Sequence, residues 1–455
     1  MRRILIANRG EIACRVIRTC ERLGIETVAI YSPADKGALH VTMATQSVAL
    51  AADAPREGYA NVDVVMEAAR ASGADAVHPG YGFLSESSTF ARAVEAAGMV
   101  WIGPRPQTID DMGNKNQARD LAQAAGVPVL PGSAPIRPGD DFSAAHTPEM
   151  GFPVLVKAAA GGGGIGMKRV DKLADLAAAV ENVQSHALRL FGDASVFIEK
   201  LVSRARHIEI QVFGFGDGEA IHLYERECSI QRRYQKVMEE SSGPNLDAQQ
   251  LTLMREAAVA LARRERYSGP GTVEFLYDDE TGGFYFLEMN TRIQVEHPVT
   301  EMVTGVDLIE QQIRLADGER LESLRNGCPP RKGHAIEGRL YAEDPRRSYM
   351  PSPGTLTELV LPTPSTSVRV DTGVRQGDTV SPFYDPMIAK IIGYGATRVE
   401  ATRALAEGLE QVRVSGLKSN IELLRALLTN EAFVAGRIHT GFLLEHAKEL
   451  LPSAA

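Results

Sequence analysis

Cysteine is scarce in this chain of 455 residues: Cys14, Cys20, Cys228 and Cys328 are the only four, with no CxxC pair and no zinc-like spacing. That excludes a disulfide framework and a zinc ribbon, and makes a reducing, cytoplasmic setting the simple expectation. Long apolar runs are also missing. None approaches the ~20 residues of a membrane span, so no membrane partner is expected. The run Ile4-Leu5-Ile6-Ala7 behind Met1-Arg2-Arg3 stops at Asn8-Arg9, too soon for a secretion signal, and reads as a strand. Positive charge is not in excess. Lys+Arg number 49 against 58 Asp+Glu, a formal net charge of -9, which leaves no general field for nucleic acid or anionic lipid. A local basic pocket for an anionic substrate remains compatible with it.

What is present is ordinary globular material, 44% hydrophobic and 24% charged, enough for real cores and for about three domains. The first hundred residues alternate strands (3–7, 26–31, 74–78) with helical patterns such as 11–23, which implies a parallel sheet. Working loops in such sheets lie at the carboxyl ends of strands, here Asn8-Arg9-Gly10-Glu11 and the segment from His78 to Phe83. A Pro/Gly-rich stretch at 127–139 marks a boundary. Strands at 153–158, 167–170, 196–200 and 207–213 and a helix from about Leu173 follow, with a small α+β module of about 70 residues among them. Strands at 272–277 and 284–290 flank a turn and form a hairpin. Short strands at 356–361 and 368–370 suggest an antiparallel sheet, and the last sixty residues read as helices.

The run Gly161-Gly162-Gly163-Gly164-Ile165-Gly166 follows a strand ending near Lys157 and matches GxGxxG. A dinucleotide site needs a helix next, whereas Met167-Lys168-Arg169-Val170 reads as a strand; Met167 also stands where a P-loop needs lysine. A hairpin lid laying backbone N–H groups over phosphates fits better, with a plain flexible connector as the competing reading. Within 288–296, Glu288, Asn290, Arg292, Gln294 and Glu296 share one face if the segment is extended. A hairpin register placing Glu274 beside Glu288 and Asn290 would converge two carboxylates and an amide oxygen, a set suited to Mg²⁺. Arg292 could then clamp a small oxyanion and Glu296 act as base. The plainer alternative is a solvated edge strand. Taken alone, His207 reads as a structural histidine, Cys228 as a small buried hydrophobe, and 225–236 as a solvated charged face.

Together these segments resemble the biotin carboxylase family of ATP-grasp enzymes over essentially the whole chain. The resemblance rests on Ala7-Asn8-Arg9-Gly10-Glu11-Ile12-Ala13, residues 78–86, Met112-Gly113-Asn114-Lys115, Lys157 with the glycine run, Arg206-His207-Ile208-Glu209-Ile210-Gln211-Val212, 225–236 and 288–300. It implies an α/β and α+β architecture: an N-terminal doubly wound, Rossmann-like domain (1–112), an ATP-grasp region (113–330) with a mobile lid at about 131–203, and a C-terminal mixed domain (331–446). It implies that ATP phosphorylates bicarbonate to carboxyphosphate, whose CO₂ is captured by a deprotonated biotin, the first half-reaction of an acyl-CoA carboxylase. By the same resemblance Lys115, Lys157, Gly162, Gly163, Gly164, Gly166, Met167, Glu199, Lys200, His207, Gln231, Tyr234 and Leu276 line the ATP site. Glu274, Glu288 and Asn290 hold Mg²⁺ or Mn²⁺, and Arg292, Gln294 and Val295 hold bicarbonate. Glu296, Arg339, Arg292 and Lys236 carry the chemistry, Arg339 as counter-charge to an enolate-like biotin.

Four positions depart from the family pattern. Ile165 replaces Arg or Lys in the lid, Tyr234 a frequent His or Asn, Asn114 a common Asp, and Gly338 a common Cys. These are expected to tune ATP affinity without abolishing catalysis. Expected partners are a biotin carboxyl carrier protein or domain, a carboxyltransferase subunit and a second copy of the chain as a homodimer. No Ala-Met-Lys-Met biotinylation segment occurs, so the carrier is expected on another polypeptide or a part outside this chain. Competing readings are another ATP-grasp carboxylate–amine ligase, which would not need Arg339, and an ATP-binding regulatory subunit with weakened turnover. A dehydrogenase is disfavoured by the strand after the glycine run.

Overall fold

The computed structural model describes residues 1–141, 150–159 and 166–451. Strands β1 (Arg3–Ile6), β2 (Glu26–Tyr31), β3 (Gln46–Ala49), β4 (Ala76–His78) and β5 (Val100–Trp101) form an all-parallel sheet in the order β3-β2-β1-β4-β5. Helix α1 (Gly10–Arg22) buries Ile12, Ala13, Val16, Ile17 and Cys20, the 3.6-residue stripe that a helix lying on a sheet requires. The order reverses at β1, so a crevice opens beyond the carboxyl ends of β1 and β4. Asn8 ties its two lips together, donating from Nδ2 to the carbonyls of Pro79 (2.8 Å) and Tyr81 (2.7 Å). Gly80 is required there. Its φ is +64°, and a Cβ would meet Asn8 Nδ2 at 2.9 Å.

His78 ends β4 fully buried. Its Nδ1 accepts from the Gly80 N–H (3.0 Å), and Nε2 faces Gln312 Oε1 at 3.1 Å. Both nitrogens are therefore committed in the neutral form. Burial accordingly pushes its pKa down to about 4. Because the folded value lies below the unfolded one, this stability is complete above about pH 6.5 and disappears as pH falls towards 4, up to about 3 kcal/mol. Urea denaturation from pH 7 to 4 should show the decline, and His78→Gln should flatten it.

A second, three-stranded antiparallel sheet follows helix α2 (Lys115–Ala124). Its strands β6 (Val154–Ala158), β7 (Met167–Val170) and β8 (Val196–Lys200) lie in the order β7-β6-β8, covered by α3 (Leu176–Phe191). Val154, Val156, Val170, Ala179, Val183 and Ile198 give the module its own core. Met167–Val170 is a strand, as the sequence predicts, with Met167 opposite Lys157. Gly162, Gly163, Gly164 and Ile165 lie outside the described residues.

The largest sheet has eight antiparallel strands: β9 (Ala205–Phe215), β10 (Ala220–Arg232), β11 (Gln235–Ser241), β12 (Ser268–Asp278), β13 (Phe284–Asn290), β14 (His334–Tyr341), β15 (Val368–Thr372) and β16 (Met387–Gly395). Their order is β13-β12-β9-β10-β11-β14-β16-β15, so one sheet runs across residue 330. Alternation decides its two faces. On β9 and β12, Ile208, Ile210, Val212, Val273 and Phe275 pack with Met254, Ala258 and Leu261 of α4 (Ala248–Arg264). His207, Glu209, Gln211, Glu274 and Leu276 have the opposite parity, and that polar face becomes the site. Helix α5 (His297–Thr304) precedes β14. At the other end, Ile336 and Leu340 of β14 join Leu405 of α6 (Arg398–Gln411) and Leu424 of α7 (Ile421–Thr429).

Gly338 sits on that apolar side, where an added Cβ would reach Leu424 at 3.7 Å and Leu405 at 3.8 Å, ordinary contact distances. Gly338→Ala should therefore be accepted. The variant should be more stable by about 0.4–1 kcal/mol, visible as a higher denaturant midpoint at unchanged slope.

Candidate active site

Strands β12 and β13 pair with Glu274 opposite Glu288 and Thr272 opposite Asn290, with a bulge between Glu274 and Phe275. The expected neighbourhood of Glu274, Glu288 and Asn290 is therefore present. The extended run through Glu296 is not. The strand ends at Asn290, and the chain turns into helix α5 (His297–Thr304), with Glu296 at the N-cap and Pro at the first turn. Pro298 favours that helix start, and Ile293 is fully buried by the turn. The polar residues converge because the chain folds back rather than because parity aligns them.

Glu274 is the first hub. Its Oε1 accepts from Asn290 Nδ2 (3.0 Å), Gln294 Nε2 (3.3 Å) and Lys236 Nζ (2.9 Å), and Oε2 lies 2.9 Å from His207 Nε2. Arg292 donates to Asn290 Oδ1 (2.7 Å) and Gln294 Oε1 (2.9 Å), and reaches Glu86 at 3.3 Å. Lys236 is the second hub. Its Nζ lies 2.5 Å from Glu209 Oε2 and 2.5 Å from Glu296 Oε1 as well. Burial disfavours its charge, but the three carboxylates outweigh that and raise its pKa well above the lysine range. It stays an ammonium.

Glu296 has both oxygens engaged, Oε1 by Lys236 and Oε2 by Arg339 Nη2 at 2.9 Å. Burial would push its carboxyl upward; Lys236, Arg339 and Arg226 together hold it well below the usual range. Arg226, fully buried, donates to Gln211, Thr300 (2.9 Å) and Thr272 (2.9 Å) and pairs with Glu209. Lys390 supports the loop from behind, donating to the Val295 carbonyl at 2.9 Å and pairing with Glu11 at 2.9 Å. The segment 225–236, a candidate solvated face on sequence alone, is instead mostly strand interior: Glu225, Arg226, Glu227, Cys228 and Ser229 are all buried. Cys228 is the small buried group expected, with burial pushing its thiol upward.

These residues line a cavity of about 610 Å³ that takes in His207, Tyr234, Lys236, Glu274, Glu288, Asn290, Arg292, Gln294, Val295, Glu296 and Arg339. Tyr81 and Phe83, from the loop the sequence marks after β4, also line it, together with Tyr384 and Asp385, which sequence reasoning did not single out. The loops of β1 and β4 are visible as strand ends, but 373–387 carries no pattern of its own. Packing alone brings it in: Tyr384 lies edge-on to Tyr59 at 5.4 Å, and Arg9 stands 4.4 Å above its ring.

The remaining nucleotide candidates among the described residues do not line this cavity. Lys115 opens α2 exposed. Lys157 pairs with Glu199, which also meets Arg119 at 3.5 Å. Lys200 lies 5.7 Å from the Tyr285 ring, Leu276 packs half-buried beside Leu130, and Gln231 donates to His207 Nδ1 at 2.8 Å. Gly166 and Met167 lie at the start of β7.

Glu274 and Glu288 fit a divalent cation. Glu288 is raised by burial and by the neighbouring charge of Glu274, an excess of negative charge that a cation would relieve. Asn290 turns its oxygen to Arg292 and its NH₂ to Glu274.

Tyr234 is 69% exposed on the two-residue turn between β10 and β11, with φ +47° at Arg233 and +65° at Tyr234. Asn tolerates that left-handed region better than Tyr. Tyr234→Asn should raise stability by about 0.5–1 kcal/mol, again checked by denaturant unfolding.

The chain matches sequence models of the biotin carboxylase N-terminal domain over residues 1–109, the carbamoyl-phosphate synthase L chain ATP-binding domain over 114–324, and the biotin carboxylase C-terminal domain over 337–445. It is 48% identical over 445 residues to biotin carboxylase 2 of Bacillus subtilis, covering 98% of this chain and 99% of that protein. It is 47% identical to the mitochondrial methylcrotonoyl-CoA carboxylase subunit alpha of Oryza sativa subsp. japonica, over 99% of this chain but only 61% of that subunit. The biotin carboxylase domain of Hydrogenobacter thermophilus 2-oxoglutarate carboxylase, a dimer solved with MgADP, ADP and bicarbonate, superposes with a TM-score of 0.90 at 40% identity, covering 100% and 99% of the two chains. Among the described residues no helix is long and apolar enough to cross a membrane. Shared motifs, whole-chain identity and superposition agree: the chain belongs to the biotin carboxylase family of ATP-grasp enzymes.

Proposed function

We propose that this chain carboxylates biotin at the expense of ATP and bicarbonate, as the first half-reaction of an acyl-CoA carboxylase. The observation that carries it is the buried triad Lys236–Glu296–Arg339 at the cavity floor. An ordinary ATP-grasp ligase has no need to sink an arginine against its base. Bicarbonate enters beside Arg292, Gln294 and Val295, two of them side chains already hydrogen-bonded to each other. Glu296 takes the bicarbonate proton as a bicarbonate oxygen attacks the γ-phosphorus of ATP and ADP leaves. Carboxyphosphate then breaks into CO₂ and phosphate; the released phosphate takes the ureido N–H proton of biotin, and that nitrogen forms the new N–C bond to CO₂.

The electrostatics set the order of events. A carboxylate held so low is a poor base until something draws its cations away. An anion entering the cavity competes for Lys236 and Arg339, and Glu296 gains basicity as the substrates arrive. Magnesium on Glu274 and Glu288 would supply charge neutralisation for the triphosphate. Lys115, Lys157, His207 and the lid residues Gly162, Gly163, Gly164, Gly166 and Met167 would close over the nucleotide; for Lys157 this means exchanging Glu199 for phosphate. Biotin arrives on a carrier protein or domain, a carboxyltransferase consumes the product, and two copies of the chain form the dimer.

The test is ADP release with bicarbonate, with and without free biotin. Biotin stimulation is expected. ADP release indifferent to bicarbonate would point to another ligase, and no turnover would contradict the reading.

A further inference from the structure

Beside Arg339, on the same face of β14, two glutamates face each other across the sheet. Glu239 of β11 is directly opposite Glu337 of β14, a register that puts paired Cβ atoms ~4.5–5.5 Å apart. Both are essentially inaccessible, at 1% and 0% exposure. Among the described residues, none of their four carboxylate oxygens accepts a well-aligned hydrogen bond. Arg339 Nη2 comes within 2.5 Å of Glu239 Oε1, a charge contact, but it also serves Glu296. With Arg339 serving one oxygen, the other three remain unfilled buried acceptors, which would be costly. A single proton held between the two carboxyls resolves this, since the protonated group becomes the donor its partner lacks.

The geometry points to Glu239 and Glu337 as a proton-sharing pair that positions Arg339: Glu337 carries the proton and donates it towards Glu239, whose carboxylate holds the guanidinium in place above Glu296. This rests on the reading of Arg339 as the counter-charge to biotin. The surrounding charges agree. The charges acting on the pair are Arg339 and Glu296, Lys390 from β16 and Lys236 from β11. Lys390 is already engaged by Glu11 at 2.9 Å and Asp371 at 3.9 Å, and Lys236 by its own three carboxylates. Each of these cations is therefore already shared with other carboxylates before it reaches Glu337. Burial raises Glu239 to about 7 despite Arg339, and burial raises Glu337 well above the carboxyl range despite Lys390. Like charges at this separation cannot both ionise comfortably.

E337Q should imitate the protonated acid, with its NH₂ in place of the O–H, whereas E337L of similar volume cannot donate. In the full chain, E337Q is expected to keep biotin-stimulated ADP release within about threefold, and E337L to lose about tenfold or more in kcat/KM for biotin. Infrared spectra of the wild type should show a protonated-carboxyl C=O band at neutral pH that E337Q abolishes. The infrared arm needs no turnover, so it tests the pair even if biotin fails to stimulate the wild type, which would instead overturn the functional reading. The pair is refuted if that band is absent from the wild type or survives in E337Q, or if E337Q is as impaired as E337L.

Discussion

Glu296→Gln should lower bicarbonate-dependent ADP release by about 10²–10⁴-fold, the usual worth of a positioned general base, while the KM for ATP stays within about threefold. Glutamine preserves the shape and can still accept from Lys236 or Arg339, so the fold should survive. Lys236 keeps Glu209 and Glu274, and Arg339 keeps Glu239. What disappears is the only function the amide cannot supply, acceptance of a proton. A steady-state comparison at saturating ATP checks this, and a near-normal kcat would remove Glu296 from its proposed role.

The second large effect concerns Arg339. Its side chain is 9% exposed between Glu239 and Glu296, and removal leaves two buried carboxylates without their shared cation. Breaking a buried pair from one side costs about 3–5 kcal/mol, so Arg339→Ala should be markedly less stable to urea. Its biotin stimulation should fall about 10²-fold or more as the counter-charge is lost, while bicarbonate-dependent ADP release without biotin persists, since that half needs Glu296 and Lys236. Arg339→Lys should recover stability more than stimulation, because an ammonium lacks the guanidinium fork that reaches Glu239 and Glu296 together. Equal loss of both activities would place Arg339 in ATP cleavage instead.

The parallel sheet, the strand after the glycine run and the hairpin of 272–277 and 284–290 were legible because each follows from short-range periodicity, whereas the Glu274–Glu288 pairing was one register that hairpin allowed. Residues 288–296 were legible as a polar cluster but not as shape. Alternation suggests an extended strand, yet Pro298 and the burial of Ile293 turn the chain after Asn290, and no pattern reports what a turn gains by burying one isoleucine. Phe83 lies in a loop the sequence marks, but its partner Tyr384 was invisible for a different reason: it is far away in sequence and meets Phe83 only through packing. The same holds for 225–236. Its charges look solvated in one dimension, and only the eight-stranded sheet with helix α5 packed on it supplies Arg226 with Glu209, Gln211, Thr272 and Thr300. The pair Glu239–Glu337 depends on a register between strands almost a hundred residues apart, which no local signal encodes.

One measurement addresses the central claim most directly: transfer of radiolabelled bicarbonate carbon to free biotin by the purified chain with Mg²⁺ and ATP. Acid-labile label on biotin, dependent on ATP and absent in Glu296→Gln, is the predicted result. ATP hydrolysis with no label reaching biotin at any biotin concentration would contradict the account.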